Sequence, residues 1–508
     1  KVIVTNDARY IDYPADVIVK ISASPTADEL AEKFNFLSTS SSNLRNIAIA
    51  GRSYVERYHH PELVAAQYAI TIDEFVTRHS SISLKRRIKE IGAVLANSAD
   101  GALKTEDAAR AMYRDMSHRP FTRQRILIDV SHLAESDHGT GIPRVVRGIV
   151  RWLCCAARAG FEPVAVRLSA GGLVRAVSWL ETEGLLAVTE NDRSETKLDF
   201  QSGDVLLMLD SSWQRIDEFL PIYKLIQEAE GRIYTVIYDL LPIMLPPEYF
   251  VPGGPQWFKG WLKKAVQHSD ALICISKASA DEVQEFIKTH LSALRRPLKI
   301  GYWHLGCDFN LAEPVGEAPS ARVKEAMAKP GFLMVGTLEP RKGHRLALEA
   351  MEILWARGIS IGLCIAGKKG WMVDELMEKI VHHPELNKKL YYIDKPTDVE
   401  LQYAYSHALA LLFPSAGEGF GLPLIEAAQF GTPIIASDLP VLREIAGAHA
   451  TYFSLGTALE LANTLEQWLK NANSGTIPDS RNIACLTWEQ SAEHLLDVVL
   501  GNQWYKSL

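Results

Sequence analysis

Residues 409–438, LALLFPSAGEGFGLPLIEAAQFGTPIIASD, constrain the fold more than any other stretch of this chain. The apolar run Leu409 to Phe413 stops at a Gly-rich loop, so it reads as a buried strand. Pro423 suits the opening of a short helix, Gly431 its end, and Ile434 to Ala436 read as a second buried strand. A strand-loop-helix-strand unit of this kind belongs to an open parallel sheet, where ligands sit outside the carboxyl ends of the strands. Gly417, Gly419 and Gly421 leave backbone amides uncovered just ahead of a helix N-terminus, a setting that favours a phosphate or another electron-rich group. Glu418 in the loop and Glu426 in the first turns of the helix, separated by seven residues, can both face that crevice. Carboxylates there would accept hydrogen bonds from sugar or ribose hydroxyls.

The run Glu-Gly-Phe-Gly-Leu-Pro followed by Glu426 resembles the signature of the retaining, nucleotide-sugar-dependent glycosyltransferases of the GT-B fold known as family 4. The resemblance implies that Glu418 and the amides of Gly419, Phe420, Gly421 and Leu422 hold the donor sugar, and that Glu426 binds the ribose. Upstream, PGFLMVGTLEPRKGHRLALEAMEIL (330–354) reads strand, turn, helix, with Arg341 and Lys342 at the turn. Arg offers a bidentate fork and Lys a point charge, a pair suited to a diphosphate. By resemblance these are the pyrophosphate-binding residues, beside Gly336 and Thr337; many relatives carry arginine where Thr337 stands, so one phosphate contact is missing.

An earlier buried strand, RILIDVSHL (125–133), leads to Gly139, Thr140 and Gly141, which lie where the family has a donor-facing loop. Pro143 can start the next helix, with Val145, Val146, Ile149, Val150 and Leu153 as its apolar stripe. Arg144 and Arg147 could reach a pyrophosphate but read first as surface. VLLMLD (205–210), RIYTVIYD (232–239) and ALICIS (271–276) are further strands. YDLLPIMLPPEYF (238–250) resembles the segment that faces the acceptor, which makes Asp239 the candidate acceptor-side base. Relatives often have histidine before that aspartate, where this chain has Tyr238.

With 508 residues, 47% hydrophobic content and a net charge of −7, the chain suits two or more α/β domains and shows no basic excess for nucleic acid. Six scattered cysteines without a C-x-x-C pair read as buried thiols of a reducing compartment. No histidine spacing suggests a metal site and no Asp-x-Asp motif occurs, so no metal or cofactor is expected and the diphosphate charge falls to Arg341, Lys342 and loop amides. No apolar run is long enough to span a bilayer and KVIVTNDARY is no signal peptide; the expectation is a cytoplasmic protein, at most peripheral on the inner membrane.

The opening of the chain repeats a passage near its end. KVIVTND can be laid on PIIASDL (433–439), and TADELAEKFNFL (26–37) on TALELANTLEQWL (457–469), related by a single one-residue gap. The expected organisation is therefore a C-terminal remnant of a preceding glycosyltransferase unit (1–80), including a helical HPELVAAQY (60–68), followed by a helical linker with a basic face (81–122). An acceptor-side Rossmann-like domain (123–318), a nucleotide-sugar-binding domain (319–485) and a return helix (486–508) complete it. The fold class is α/β: GT-B, two doubly wound domains facing a cleft, with an N-terminal α/β tail. The tandem arrangement resembles the polymerising mannosyltransferases of bacterial O-antigens. That implies transfer of a hexose, α-mannose from GDP-mannose, to an oligosaccharide or polyprenyl-linked acceptor, with a membrane surface and other polysaccharide-assembly proteins as further partners. The alternatives are a degenerate sugar-binding or scaffold module and a GT-B nucleotide-sugar epimerase.

Overall fold

The computed structural model describes residues 3–5, 19–22, 25–39, 41–58, 124–137, 141–155, 161–170, 172–185, 197–291, 294, 296–308 and 318–508. The expected linker over 81–122, the helix over 60–68, and Gly139 and Thr140 lie outside the described residues. The chain divides into two compact units, residues 1–124 with 158–162, and the remainder.

In the first unit, β1 (Ile3–Thr5) pairs in parallel with β2 (Val19–Ile21), and the helices Ala27–Thr39 and Ser41–Tyr58 follow. Thr26 Oγ1 accepts from the Glu29 amide at 3.2 Å, an N-cap. The repeat read from the sequence has a structural counterpart in the second unit. There β14 (Ile434–Ser437) pairs in parallel with β15 (Thr451–Phe453), ahead of a helix capped by Thr457 and Glu460. Ile3 faces Val19 as Ile435 faces Thr451, and Thr5 faces Ile21 as Ser437 faces Phe453, so the two pairings share one register.

The second unit holds two sheets. The first is built from β3 (Gln124–Asp129), β4 (Phe161–Ser169), β5 (Gly172–Arg175), β6 (Val205–Met208), β7 (Arg232–Ile237), β8 (Ala271–Cys274), β9 (Lys299–Tyr302) and β16 (Lys506–Ser507), in the order β16-β9-β8-β7-β6-β3-β4-β5. Its run from β9 to β3 is parallel, while β5 and β16 add antiparallel pairings at the two edges. The buried strand expected over 125–133 stops at Asp129, and Ser131–Glu135 turn into a short helix. The continuous apolar run fits either form, and the side chain of Asp129 decides by capturing the Ser131 amide at 3.1 Å.

The second sheet is parallel throughout, in the order β12-β11-β10-β13-β14-β15, where β10 is Gly331–Val335, β11 Gly362–Ala366, β12 Leu390–Ile393 and β13 Ala410–Phe413. Its strands are buried, and the face carrying Phe332, Met334, Leu363 and Ile365 packs against Leu348, Met351 and Leu354 of the helix His344–Ala356 and Leu461 and Leu465 of Ala458–Asn473, two helices that also pack on each other. The chain then returns. The helix Trp488–Val499 packs on Gly141–Cys155, where a side chain at Gly148 would collide with the Trp488 ring, and β16 joins the first sheet beside β9. Two Rossmann-like sheets thus set the carboxyl ends of β10, β13 and β7 around one region. Among the described residues, no helix is long and apolar enough to cross a membrane.

Candidate active site

Because β10 and β13 are neighbours, the loops at their carboxyl ends touch. After β10 the chain passes Gly336, in a conformation (φ 136°) that side chains rarely adopt, and Thr337, then makes the tight turn Pro340–Lys342 and reaches Gly343 at φ 71°. A Cβ on Gly343 would lie 2.2 Å from the Pro414 carbonyl oxygen, so only glycine lets the two loops meet. The contact is tied by the Ala416 amide donating to the Arg341 carbonyl (2.7 Å) and by Arg341 Nη1 donating to the Gly417 carbonyl (2.9 Å). This brings Glu418 into the cations. Lys342 Nζ stands 2.7 Å from Glu418 Oε1, and Arg341 Nη1 3.4 Å from Oε2. Arg341 Nε also lies 2.9 Å from Glu339 Oε2, an ion pair without hydrogen-bond alignment.

All these groups are buried or nearly so, and their charges decide their protonation. Burial alone would raise the Glu418 carboxyl, but Lys342 and Arg341 outweigh it and hold the group below its ordinary value, ionised. Burial would likewise lower Arg341, and Glu418, Glu339 and Asp239 together keep it above its usual range. Glu339 is raised by burial, with Arg341 opposing. His344 is pushed down to about 3 by burial and by Lys342, so it stays a neutral ring behind the turn.

The facing half supplies Asp239, just after β7. Its Oδ1 accepts from the Leu241 amide at 3.1 Å, and burial raises its carboxyl while Arg341 draws it back. Tyr238, which stands where histidine was expected by resemblance, is buried and donates to the Leu209 carbonyl at 2.7 Å, so its hydroxyl points into the first domain. The glycines of the loop after β13 have a second reason beyond open amides. A Cβ at Gly419 would sit 2.1 Å from the Tyr238 carbonyl oxygen, and one at Gly417 2.6 Å from Leu241. The Gly419 carbonyl accepts from Ser276 Oγ at 2.8 Å. Gly421 alone among the three has a positive φ, 100°, and opens the helix Leu422–Gln429. Phe420 is buried with its ring edge toward His304.

Glu426 forms a separate group. It is 3% exposed; Oε1 accepts from Arg144 Nη1 and Oε2 from the Tyr405 hydroxyl, each at 2.6 Å. Arg144 belongs to the helix that begins at Gly141 in the facing half, and burial works against its charge while Glu426 restores it. Arg147, weighed with it, pairs instead with Asp137 and Glu183 of its own domain. The structure therefore joins Glu418, Arg341, Lys342 and Asp239 in one cluster and holds Glu426 in an adjoining one. Sequence reasoning set Arg144 aside as surface, and nothing in the sequence marked Tyr405 or Glu339. The one available signal was the place of Arg144 in the first turn of a helix after a glycine. Among the described residues no group of His, Cys, Asp and Glu could hold a metal ion.

Residues 318–482 match the family described as glycosyl transferases group 1. The serotype-specific mannosyltransferase WbdA of Escherichia coli is 38% identical over 378 residues, 73% of this chain and 46% of that protein. The O-antigen chain mannosyltransferase B of the same species is 27% identical over 220 residues, 42% of this chain and 55% of that protein. The chain thus spans about half the length of these curated relatives. Among solved structures, the sucrose-phosphate synthase of Thermosynechococcus elongatus superposes with a TM-score of 0.52 at 18% identity, covering 75% of this chain and 99% of that one, a likeness of fold. The matched segment holds Glu418, Glu426 and both cations of the turn, and the sheets around it follow the GT-B plan: residues 318–482 are a group 1 glycosyltransferase domain, the second half of a GT-B fold.

Proposed function

We propose that this chain is a retaining mannosyltransferase that uses GDP-mannose to extend an O-antigen polysaccharide. The observation that carries the reading is the buried Glu418 kept ionised between Lys342 and Arg341, beside Asp239 of the facing half. The relatives named as mannosyltransferases support the sugar, and the O-antigen chain mannosyltransferase B among them supports the acceptor class. In the proposed complex Arg341 and Lys342 take the diphosphate and offset the charge that grows on it as the bond from the anomeric carbon to phosphate oxygen breaks. Glu418, with the Gly419 to Leu422 amides, fixes the sugar hydroxyls, and Glu426 takes the ribose. The acceptor hydroxyl attacks from the face the diphosphate leaves. Its proton passes to the departing phosphate oxygen, with Asp239 positioned on the acceptor side.

Arg341, Lys342, Glu418 and Glu426 form an intact set, which favours catalysis over a degenerate scaffold. The first unit, with its repeated strand register and capped helix, fits a remnant of a preceding unit of the same kind. The decisive experiment offers a panel of nucleotide sugars with a short α-mannose oligosaccharide and determines product mass and linkage. GDP-mannose should be consumed and the acceptor should gain one hexose in α linkage. Consumption without a product larger than a monosaccharide would instead indicate an epimerase or hydrolase, and no consumption a degenerate module. Glu426→Ala should weaken GDP binding by about 1.5–3 kcal/mol, the worth of a charged hydrogen bond.

A further inference from the structure

Five large apolar side chains stand exposed on the segments that follow β7 and β11: Met244 (55%) at the end of the short helix Leu241–Met244, Val251 (49%) in a loop and Trp257 (41%) in the first turn of the helix Gly254–His268 from the first half, and Trp371 (36%) and Met372 (49%) from a loop of the second. The two segments are joined, for Trp371 Nε1 donates to the Tyr249 carbonyl at 3.2 Å. Both start at the candidate site. The first runs on from Asp239 through Leu241, which borders Gly417. The second passes Gly370, whose Cβ would fall 2.9 Å from Thr337 and 3.2 Å from Glu339. Met372 is held at φ 54°, a conformation rare for a long side chain and one that recurs beside binding sites. Exposed apolar surface concentrated at the mouth of a cleft marks a ligand groove more often than chance scatter does.

We infer that Trp371 and Trp257 form a stacking platform for the acceptor saccharide, holding the sugar units that lie beyond the cleft while the chain end reacts inside it. The inference takes from the proposed function only the direction in which the acceptor leaves. Indole rings give a rigid apolar face to the C–H face of a pyranose, and the exposed Glu248, in the turn Pro247–Tyr249, and Gln256, next to Trp257 in its helix, offer partners to its hydroxyls. A neutral ligand fits better than an anionic bilayer. Lys369 is paired with Asp374, Lys264 with Asp217, and Glu248 adds negative charge to the rim.

The test titrates a long α-mannose oligosaccharide and a disaccharide into the full chain without donor, by calorimetry, and then measures KM for both as acceptors. In Trp371→Ala and Trp257→Ala the long oligosaccharide should bind roughly tenfold more weakly and the long-to-short ratio of KM should rise by a similar factor. Trp371→Phe, which keeps a ring and loses the N–H, should recover most of the binding. Equal losses for both ligands, or none, would overturn the platform. So would loss of sedimentation with phosphatidylglycerol vesicles in Trp371→Ala with no change in oligosaccharide binding, which would assign the rim to lipid. Ring-dependent binding by a chain that transfers no sugar would uphold the platform and reject the proposed function.

Discussion

Asp129 and Asp210, at the ends of β3 and β6, are 1% and 4% exposed and lie close enough to repel. Asp129 Oδ1 accepts from the Ser131 amide and, at 2.5 Å, from its hydroxyl, while Asp210 accepts from the Leu133 and Ser211 amides. Burial first and the Asp210 charge second push Asp129 up to about 7, from its ordinary value of 3.8. A carboxyl raised in the folded state contributes stability that is complete below its unfolded value and is lost as pH rises through the folded one, here between about 4 and about 7. Asp129→Asn keeps an acceptor for Ser131 and removes the ionisation. Its stability in urea should therefore gain on the parent chain by on the order of 1–3 kcal/mol between about pH 5 and about pH 8, and a constant difference would contradict the shift. This pair was not legible in the sequence, since neither aspartate carries a motif and their approach depends on β3 and β6 lying side by side. Glu418 and Lys342 were legible because family spacing and local glycines fix them within a few residues of a strand end. Arg144 was not, because its partner Glu426 is 282 positions away.

At the scale of elements, the strand-loop-helix-strand unit was read almost to the residue: Pro423 opens its helix, and Gly431, at φ 68°, lets the chain leave it. What escaped included β5 and the three-residue β15, short edge strands whose pairing comes from the sheet and not from their own composition, and also β4, nine residues long and inside the sheet. The turn Pro340–Lys342 depends on its element more than on its charges. It ends at Gly343, where both the positive φ and the Pro414 carbonyl exclude a side chain. Gly343→Ala should cost about 1–3 kcal/mol in denaturant unfolding, from left-handed strain and the forced separation of the two loops. Since that separation also pulls Lys342 from Glu418, GDP binding should weaken more than the stability loss alone explains. A variant with parent-like GDP affinity would show that the turn does not set the cations.

The two-half plan was visible from the order of strands and helices, whereas the way the halves close was not, because the ties cross 122 to 282 positions of sequence. Glu444, on the helix Pro440–Ala446, reaches the facing half and accepts from the Lys277 and Ala278 amides at 2.7 and 2.8 Å and from His304 Nε2 at 2.7 Å. It thus serves as a remote cap for the helix Lys277–His290, whose own cap, Ser276, donates its hydroxyl to Gly419 of the candidate site. Burial would raise the Glu444 carboxyl, but His304 and the two amides hold it below its ordinary value, so it stays charged toward a helix N-terminus. Closure and site are therefore linked through one helix start. Glu444→Ala strips two amides of their acceptor, a loss of about 0.5–2 kcal/mol that falls on the closed arrangement alone, since open halves would leave those amides to water. The donor-free variant should scatter X-rays with a larger radius of gyration than the parent chain. Saturating GDP, bound by the turn and the Gly419 loop, should bring the two radii together. Identical radii without GDP would mean that the halves are held by the return helix and the Arg144–Glu426 pair, and that Glu444 only caps.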